Sequence, residues 1–257
     1  MTALITGASG GIGLELARLF AHDGYNLVLV ARRQEKLNEL KAELEAAHHI
    51  TVTTLAKDLS AAGACEAVLS FTQAQGIDID VLVNNAGFGD WFFFAESNVQ
   101  KQQEMIRLND ETLVTLTHLF LAQMIARKHG RILNVASVAS FMPGAKMAVY
   151  YASKAFVRSF SEALSVELKK TKSGVTVTAL CPGPVKTDFW NTAEAGSSSL
   201  YRHMFFAEST TVARCGYKAM QKGTVIAIPG FSVRLAVLLT KWLPRSWVRK
   251  LVYAAQK

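Results

Sequence analysis

Cysteine and proline are scarce in this chain of 257 residues, which holds three cysteines and five prolines. The cysteines, Cys65, Cys181 and Cys215, form no C-x-x-C pair, and the six histidines stand at no ligand spacing. The sequence therefore predicts neither a disulfide framework nor a metal site. No linker rich in proline, glycine or serine divides the chain, so we expect a single domain over residues 1–257.

Acidic residues are absent after Glu208. That part of the chain holds nine of the 28 basic residues. Residues 1–208 therefore hold 19 basic and 20 acidic residues. The net charge of +8 therefore belongs to the C-terminal part. No recognition motif accompanies this charge, so we do not expect nucleic-acid binding.

Residues 231–257 are predicted to form a basic, amphipathic, helical C-terminal extension. Basic residues and Pro244 interrupt its apolar stretches, so it lacks the ~20 consecutive apolar residues of a transmembrane helix. Three interpretations are open. The extension packs on its own body or on a partner subunit, it inserts Trp242, Trp247 and Leu251 into an anionic lipid surface as a peripheral membrane contact, or its cations attract a phosphorylated substrate such as an acyl-CoA.

Short apolar strands alternate with helical patterns along the chain, from a first strand at residues 3–6 to a last one at 224–228. One long helix is predicted over residues 98–128. The alternation predicts the α/β fold class, with a doubly wound parallel sheet of about seven strands covered by helices on both faces. No charged leader precedes the first strand, so a cytoplasmic location is expected, either free or at the membrane surface.

A glycine-rich turn separates the first strand from the helical pattern after it. It reads Thr6-Gly7-Ala8-Ser9-Gly10-Gly11-Ile12-Gly13. Glycine tolerates the positive φ of a tight turn and lets the backbone approach phosphate oxygens, and a helix N-terminus offers free N–H groups. Strand, turn and helix in this order predict a site for the pyrophosphate of a dinucleotide.

An arginine pair, Arg32-Arg33, follows the second strand, which we expect over residues 25–31. An NAD-binding protein would place an acidic residue here for the ribose 2′-hydroxyl. A guanidinium suits a 2′-phosphate instead, because its planar fork of donors matches phosphate oxygens. The pair favours NADP(H) over NAD(H), with Arg32 the stronger candidate. Alternatively, both arginines open a solvated helix.

Tyr150 and Lys154 are four residues apart on a predicted helix and share one face, whereas Tyr151 points about 100° away. A nearby cation is expected to lower the pKa of a tyrosine from its ordinary ~10. Such a tyrosine can exchange a proton with a carbonyl or an alcohol. Ser137 ends a predicted strand upstream, where the carboxyl ends of parallel strands build a site. The alternative is a surface lysine beside an interfacial tyrosine.

Aromatic residues cluster in two predicted loops. Trp91-Phe92-Phe93-Phe94 follow a strand end, and Phe189-Trp190 open a segment that is polar in its centre. We predict that residues 189–208 form a lid, and that Trp91, Phe189 and Trp190 form an apolar wall that binds substrate. Alternatively, these aromatic side chains only pack on a neighbouring helix.

Together these motifs resemble the short-chain dehydrogenase/reductase family, and within it the NADP-preferring reductases of bacterial type. The resemblance covers about residues 2–230. The matching motifs, in the family's order, are Thr6-Gly7-x-x-x-Gly11-x-Gly13, Asn84-Asn85-Ala86-Gly87, Asn109, Ser137, Tyr150-x-x-x-Lys154 and Pro182-Gly183. The resemblance implies a Rossmann-like fold, a homodimer or homotetramer, and catalysis without a metal.

The resemblance also implies a role for each motif residue. Tyr150 would be the general acid or base, Ser137 would bind the substrate oxygen, and Lys154 would lower the Tyr150 pKa and bind the nicotinamide ribose. Asn109 would kink its helix and hold a water that links Lys154 to solvent. Asn84 would lie near the adenosine ribose. The other residues implied to bind cofactor are Gly7, Ser9, Gly11, Ile12, Gly13, Asp58, Leu59, Asn85, Ala86, Gly87, Pro182, Gly183, Val185 and Thr187.

The implied activity is the NADP(H)-dependent reduction of a lipophilic ketone or aldehyde, such as a 3-oxoacyl or sterol-like compound, or oxidation of the matching alcohol. The alternative is a non-catalytic NADP-binding sensor or scaffold. Family members of that kind usually lack the tyrosine or the lysine, and this chain has both.

Overall fold

The computed structural model describes residues 1–187, 189, 193 and 206–256. In this part of the chain seven parallel strands form one sheet, in the order β3-β2-β1-β4-β5-β6-β7. The strands are β1 (Thr2–Thr6), β2 (Asn26–Ala31), β3 (Val52–Ala56), β4 (Val81–Asn84), β5 (Gly130–Val135), β6 (Val175–Leu180) and β7 (Ile226–Ala227). The strand order reverses direction between β1 and β4, which leaves a crevice at their carboxyl ends.

Helices connect the strands and cover both faces of the sheet, as predicted. Those in the described residues are α1 (Gly11–His22), α2 (Gln34–Ala47), α3 (Ala64–Ala74), α4 (Val99–Ile106), α5 (Thr112–Ala126), α6 (Ala148–Lys170), α7 (Ser209–Gln221), α8 (Phe231–Trp242) and α9 (Arg245–Ala255). The predicted helix over 98–128 is interrupted, because a π-helical turn over Arg107–Glu111 separates α4 from α5.

Two hydrophobic cores lie on opposite faces of the sheet. On one face, α1, α2 and α7 pack on the strands through residues such as Leu16, Leu37 and Val212. On the other face, α3, α5 and α6 pack through residues such as Val68 and Leu116. Because both faces are covered, the strands are almost continuously apolar rather than alternating, as β2 shows with five buried residues in a row.

The last strand is shorter than predicted. Of residues 224–228, only Ile226 and Ala227 pair with β6. The backbone N–H of Thr224 donates instead to the carbonyl of Ala219 at 2.9 Å, so this residue belongs to the turn that ends α7. The short edge strand sets the direction in which the chain continues into α8.

The C-terminal extension consists of two helices, α8 and α9, separated at Leu243 and Pro244. Each helix buries a single residue, Val237 in α8 and Val248 in α9. Most of their large apolar side chains are exposed, so packing on the body does not account for them. No helix in the described part of the chain has the length and apolarity to span a bilayer.

Substitution of Phe20 tests the core between α1 and α7. The Phe20 ring is fully buried and makes edge contacts with the rings of Tyr25 and Tyr217, at centroid distances of 5.1 and 4.9 Å. We expect Phe20→Ala to lower the free energy of unfolding by about 3–5 kcal/mol, because it leaves a cavity. Chemical denaturation measures this change.

The matched control for this prediction is Phe94→Ala, because the Phe94 side chain is 65% exposed. Its effect is expected to stay within about 0.5 kcal/mol. Equal effects of the two substitutions would contradict the placement of Phe20 in the core.

Candidate active site

A cavity of about 300 Å³ opens at the carboxyl ends of β1, β4, β5 and β6. It lies at the predicted crevice of the doubly wound sheet. The predicted site residues that line it are Gly7, Ser9, Gly11, Ile12, Arg33, Asn85, Ala86, Gly87, Trp91, Ser137, Tyr150, Lys154, Pro182, Gly183, Val185, Thr187 and Phe189. Residues far apart in the sequence are thus brought to one place. Trp190 and most of the predicted lid, 189–208, lie outside the described residues.

The glycine-rich turn has the geometry of a phosphate cradle. Gly7 and Gly11 have φ angles of +65° and +55°, which side chains rarely adopt. A Cβ atom on Gly13 would lie 2.5 Å from both the Gly7 carbonyl oxygen and Asn85 Nδ2. The turn leads into the N-terminus of α1, where backbone N–H groups are available to an anion. The turn therefore fits a dinucleotide pyrophosphate.

Hydrogen bonds tie the glycine-rich turn to the loop after β4. Thr6 Oγ1 accepts from the N–H groups of Asn85 and Ala86 at 2.9 and 3.0 Å. Asn85 Nδ2 donates to the carbonyl oxygens of Thr6 and Gly7 at 2.8 and 3.2 Å. The Asn85 side chain therefore supports the shape of the turn and also borders the cavity.

Asn84, expected near the adenosine ribose, points elsewhere. Its Nδ2 donates to Asn134 Oδ1 at 2.9 Å and to Thr117 Oγ1 at 3.0 Å, and the residue is buried. Asn134 Nδ2 in turn donates to Ser161 Oγ at 2.9 Å. The structure therefore gives no support to the expected place near the ribose, because side chains alternate along a strand and this one faces inward. Asn84 ends β4 facing the interior, where it links β4 to β5 and α5.

Arg33, rather than Arg32, lines the cavity. Arg33 Nη2 lies 3.2 Å from the Ser9 carbonyl oxygen and 3.3 Å from Ser9 Oγ, so the guanidinium reaches back over the glycine-rich turn. Arg32 is exposed and does not belong to the described cavity lining. The structure thus favours Arg33 over Arg32 for a group bound in the cavity, and the binding of a 2′-phosphate by either arginine stays a prediction.

Asp58 and Leu59 follow β3 and lie outside the described lining of the cavity. The Asp58 carboxylate accepts hydrogen bonds from the side chain and backbone of Ser60, which lower its pKa, and the nearby Arg32 adds to this shift. Leu59 is buried, and its carbonyl accepts from Thr112 Oγ1 at 2.8 Å. Their implied adenine contacts stay predictions.

Ser137 and Tyr150 meet in the wall of the cavity. Ser137 follows β5, and its Oγ accepts from the Ala139 N–H at 3.2 Å. Burial raises the pKa of Tyr150, and the neighbouring Ser137 hydroxyl partly opposes this rise. The two hydroxyl groups therefore share one point of the cavity, where a carbonyl oxygen could receive both hydrogen bonds.

Lys154 lies one helical turn after Tyr150 in α6 and is only 6% exposed. Its Nζ donates to the carbonyl oxygen of Val135 at 2.9 Å and lies 5.8 Å from the centre of the Tyr150 ring. Burial lowers the pKa of Lys154 to about 8, and the nearby Asp110 carboxylate works against this shift. Burial also raises the pKa of Asp110 to about 6, and Lys154 opposes that rise.

The expected lowering of the Tyr150 pKa is wrong. Burial raises the pKa of Tyr150 well above its ordinary value, and its neighbour Tyr151 adds to the rise. The hydrogen bond with Ser137 only partly offsets this effect. Loss of hydration of the phenolate therefore outweighs attraction by a lysine that donates to a backbone carbonyl instead.

Asn109 lies in the π-helical turn and is 2% exposed. Its Oδ1 accepts from the Phe88 N–H at 3.1 Å, while Nδ2 donates to the Phe88 carbonyl and to Ser153 Oγ at 3.0 and 3.1 Å. A Cβ atom on Gly87 would lie 2.8 Å from Asn109 Oδ1 and 3.5 Å from Lys154 Nζ. The π turn thus brings Asn109 next to Lys154, as the implied distortion of its helix requires.

Apolar side chains border the cavity beside Tyr150. The Phe189 ring lies 5.2 Å from the Tyr150 ring between centroids, and Trp91 and Met147 also line this side. The Phe93 and Phe94 side chains after Trp91 are exposed. Of the aromatic run 91–94, only Trp91 therefore belongs to the described wall.

Two residues that the sequence did not indicate also reach this side of the cavity. Gln256 Nε2 donates to the hydroxyl of the cavity-lining Tyr151 at 3.3 Å, and Lys146 Nζ donates to the Gln256 carbonyl at 3.3 Å. Lys146 Nζ also lies 5.4 Å from the centre of the Phe93 ring. No local pattern could reveal the contact of Gln256, because its partners are more than 100 positions away.

Stability measurements against pH test the burial of Lys154. The folded-state pKa of about 8 is below the ordinary value of 10.5. Between these values the unfolded chain holds a proton that the folded protein lacks, so the free energy of unfolding rises with pH. Relative to Lys154→Met, the wild type should gain about 3 kcal/mol from pH 8 to 10.5.

The control for this measurement is Lys170→Met, because Lys170 is an exposed lysine at the end of the same helix. This variant removes a lysine charge from the same helix without touching the cavity. A flat difference for Lys154→Met would show that its amino group is hydrated in the folded protein.

Comparison with known proteins identifies the family. A family model described as short chain dehydrogenase matches residues 1–197. The NADP-dependent 3-hydroxy acid dehydrogenase YdfG of Escherichia coli is 39% identical over 193 residues, which are 74% of this chain and 75% of that protein. A very-long-chain 3-oxoacyl-CoA reductase of Phaeosphaeria nodorum is 39% identical over 171 residues, which are 65% of this chain and 50% of that protein.

A solved structure shows the same relationship. A short-chain dehydrogenase from Sphingobium yanoikuyae, in complex with NADPH, superposes with a TM-score of 0.84 at 30% identity, over 94% of this chain and 93% of that one. The predicted cofactor type is the one that the E. coli relative uses and the Sphingobium protein binds. The predicted family is therefore confirmed, and the chain belongs to the short-chain dehydrogenase family of oxidoreductases.

Proposed function

We propose that this protein is an NADP(H)-dependent oxidoreductase that interconverts a lipophilic ketone or aldehyde with the matching alcohol. The observation that carries this proposal is the meeting of Tyr150 and Ser137 in a cavity that also contains the glycine-rich turn and Lys154. The two curated relatives support a substrate class, because one is named for 3-hydroxy acids and the other for 3-oxoacyl-CoA. A 3-oxoacyl group or its alcohol is therefore our preferred substrate over a sterol-like one.

The protonation state of the site suits carbonyl reduction. Burial keeps Tyr150 a neutral phenol at neutral pH, since its pKa is raised. A neutral phenol can donate a hydrogen bond to a carbonyl oxygen and then its proton, while the Ser137 hydroxyl stabilises the charge that develops there. In the opposite direction, Tyr150 would accept the proton of the alcohol.

Lys154 and Asn109 would support the proton transfer without contacting the substrate. With a pKa of about 8, Lys154 is mostly charged at neutral pH, and its charge favours the phenolate that Tyr150 becomes after donation. Asn109 is fixed by its hydrogen bonds to Phe88 and Ser153, so it holds the loop after β4 against α6. We assign Asn109 the role of a positioning residue that keeps Gly87 close to Lys154.

The cavity fits NADP(H) along its length. The glycine-rich turn and the N-terminus of α1 would hold the pyrophosphate, and Arg33 would bind the 2′-phosphate. Pro182, Gly183, Val185 and Thr187 also line the cavity and would hold the nicotinamide end. When bound, the cofactor supplies or accepts the hydride.

A homodimer or homotetramer is the proposed assembly. The outer side of α5 and α6 exposes Ile125, Phe156 and Val166. The rings of Phe156 and Phe160 stack at a centroid distance of 6.1 Å, which gives this surface a flat aromatic part. Pairing of α5 and α6 with a second copy would bury these side chains. A cytoplasmic location, free or at the membrane surface, completes the proposal.

Replacement of Tyr150 tests the catalytic assignment. We expect Tyr150→Phe to lower kcat/KM by about 10²–10⁴, because the proton donor is removed. The assay follows NADPH absorbance with a panel of ketones that includes 3-oxoacyl thioesters. NADPH binding, followed by fluorescence, should persist in the variant.

Tyr151→Phe is the matched control. Its loss should be much smaller, since the Tyr151 hydroxyl is bound to Gln256. If the wild type binds NADPH normally but reduces nothing in the panel, the protein is a non-catalytic NADP-binding sensor or scaffold instead.

Replacement of the two arginines tests cofactor selection. Arg33→Ala should raise the Kd for NADPH about 10- to 100-fold, because charge-assisted hydrogen bonds to the 2′-phosphate are lost. The Kd for NADH should change little. Arg32→Ala serves as the comparison, with a smaller effect on NADPH, because Arg32 lies outside the described cavity lining. An equal rise in the Kd for NADPH and for NADH in Arg33→Ala would show that Arg33 does not bind the 2′-phosphate.

A further inference from the structure

The two C-terminal helices expose a set of large apolar side chains, which we call the docking face. Its members are Phe231, Leu235, Leu238, Leu239, Trp242, Trp247 and Leu251. Phe231 and Trp242 are 83% and 82% exposed. Single exposed apolar residues are common on proteins, but a cluster of this kind marks an interaction surface.

Helical geometry places these side chains on the outer side of α8. The five members in α8 fall within an arc of about 100°, from the rotation of 100° per residue. Val237, the buried residue of α8, faces away from this arc toward the body. Arg234 and Lys241 lie between the buried side and the apolar arc. The cations therefore border the apolar side chains along the length of α8.

The second helix repeats this arrangement. Trp247 and Leu251 are one turn apart and exposed, whereas Val248 is buried. Lys250 lies beside the apolar pair around the helix. Arg245 and Arg249 add two further exposed cations. An amphipathic helix with tryptophan and leucine beside basic residues is typical of segments that lie in a membrane interface.

We propose that the docking face binds the surface of an anionic lipid bilayer and inserts its apolar side chains at the level of the headgroups. The charge of the chain carries this choice of partner. No acidic residue follows Glu208, so nothing in α8 or α9 opposes attraction to lipid phosphates. Tryptophan is favoured at this depth because its ring is both apolar and able to donate a hydrogen bond.

A second copy of the chain is a poorer partner for this surface. Symmetric pairing of the docking face with itself would place the basic residues of both copies close together. Like charges facing each other disfavour such a complex. An anionic lipid surface satisfies the apolar side chains and the cations at once.

The end of α9 approaches the substrate side of the cavity. Directly after α9, Gln256 is buried and donates to the hydroxyl of Tyr151, which lines the cavity. Lys146 holds the Gln256 carbonyl, and its backbone φ of +57° is unusual for a residue other than glycine. Lipid binding at α8 and α9 would therefore bring the entrance for a lipophilic substrate close to the bilayer.

Vesicle binding of the full-length protein tests the proposal without reference to activity. We expect the protein to co-sediment with vesicles of phosphatidylcholine and phosphatidylglycerol, and much less with phosphatidylcholine alone. Brominated lipids should quench the fluorescence of Trp242 and Trp247. The double variant Trp242→Phe/Trp247→Phe should no longer show this quenching. High salt should weaken the binding, since exposed charges are then screened.

Substitutions in the docking face should weaken vesicle binding by amounts that depend on the side chain removed. Lys241→Gln and Lys250→Gln should each lower the partition coefficient for anionic vesicles about five-fold. The double variant Trp242→Ser/Trp247→Ser should lower it at least about ten-fold. The matched controls are Val99→Ser and Lys170→Gln, which change exposed residues elsewhere and should bind like the wild type. Circular dichroism checks that every variant is folded.

Three results would overturn the proposal. The first is equal sedimentation with neutral and anionic vesicles. The second is unchanged binding in the docking-face variants. The third is the absence of vesicle binding together with a dimer that Trp242→Ser/Trp247→Ser dissociates in sedimentation velocity, which would make a second copy the partner. None of these readouts depends on substrate turnover, so they are independent of the proposed enzymatic function.

Discussion

Removal of the Lys154 amino group from water is the constraint on which the active site depends. Its ammonium form is disfavoured by burial and stabilised by the Val135 carbonyl and the charge of Asp110. The balance leaves a pKa of about 8, so a small change in the surroundings alters the charge at neutral pH. A site of this kind responds to what binds in it. An anionic group in the cavity would favour the charged lysine, which in turn would favour loss of the Tyr150 proton.

Irregular backbone is concentrated where this balance is set. The π-helical turn interrupts what would otherwise be one helix and brings Asn109 to Phe88 and Ser153. Gly87 has no Cβ atom, and this allows the asparagine and Lys154 to approach it closely. Regular packing elsewhere supports these departures, since both faces of the sheet carry continuous cores. Departures from regular structure that persist in a well-packed fold are often functional, and here they lie beside Lys154.

The parts of the fold that follow from local patterns were predictable, and those that depend on distant contacts were not. Strands and helices, the glycine-rich turn and the Tyr150–Lys154 spacing are local, so the sheet and the position of the cavity followed from the sequence. The direction of Asn84 and the choice between the two arginines depend on the exact end of a strand, which sequence patterns locate only within a few residues. The raised Tyr150 pKa depends on how residues from distant parts of the chain surround its hydroxyl, and the Gln256 contact depends on packing across the whole chain.

The distribution of charge separates two tasks within one chain. Residues 1–208 carry almost no net charge, so the segments that form most of the cavity do not hold the positive excess. In the proposed function the cofactor is held there by directed groups at short range, namely the N–H groups at the start of α1 and the guanidinium of Arg33. The excess charge lies in the C-terminal part, next to exposed apolar side chains, where a long-range field is useful against an extended anionic surface. In the proposed function, short-range groups would thus select the cofactor, while the basic helices α8 and α9 would orient the whole protein.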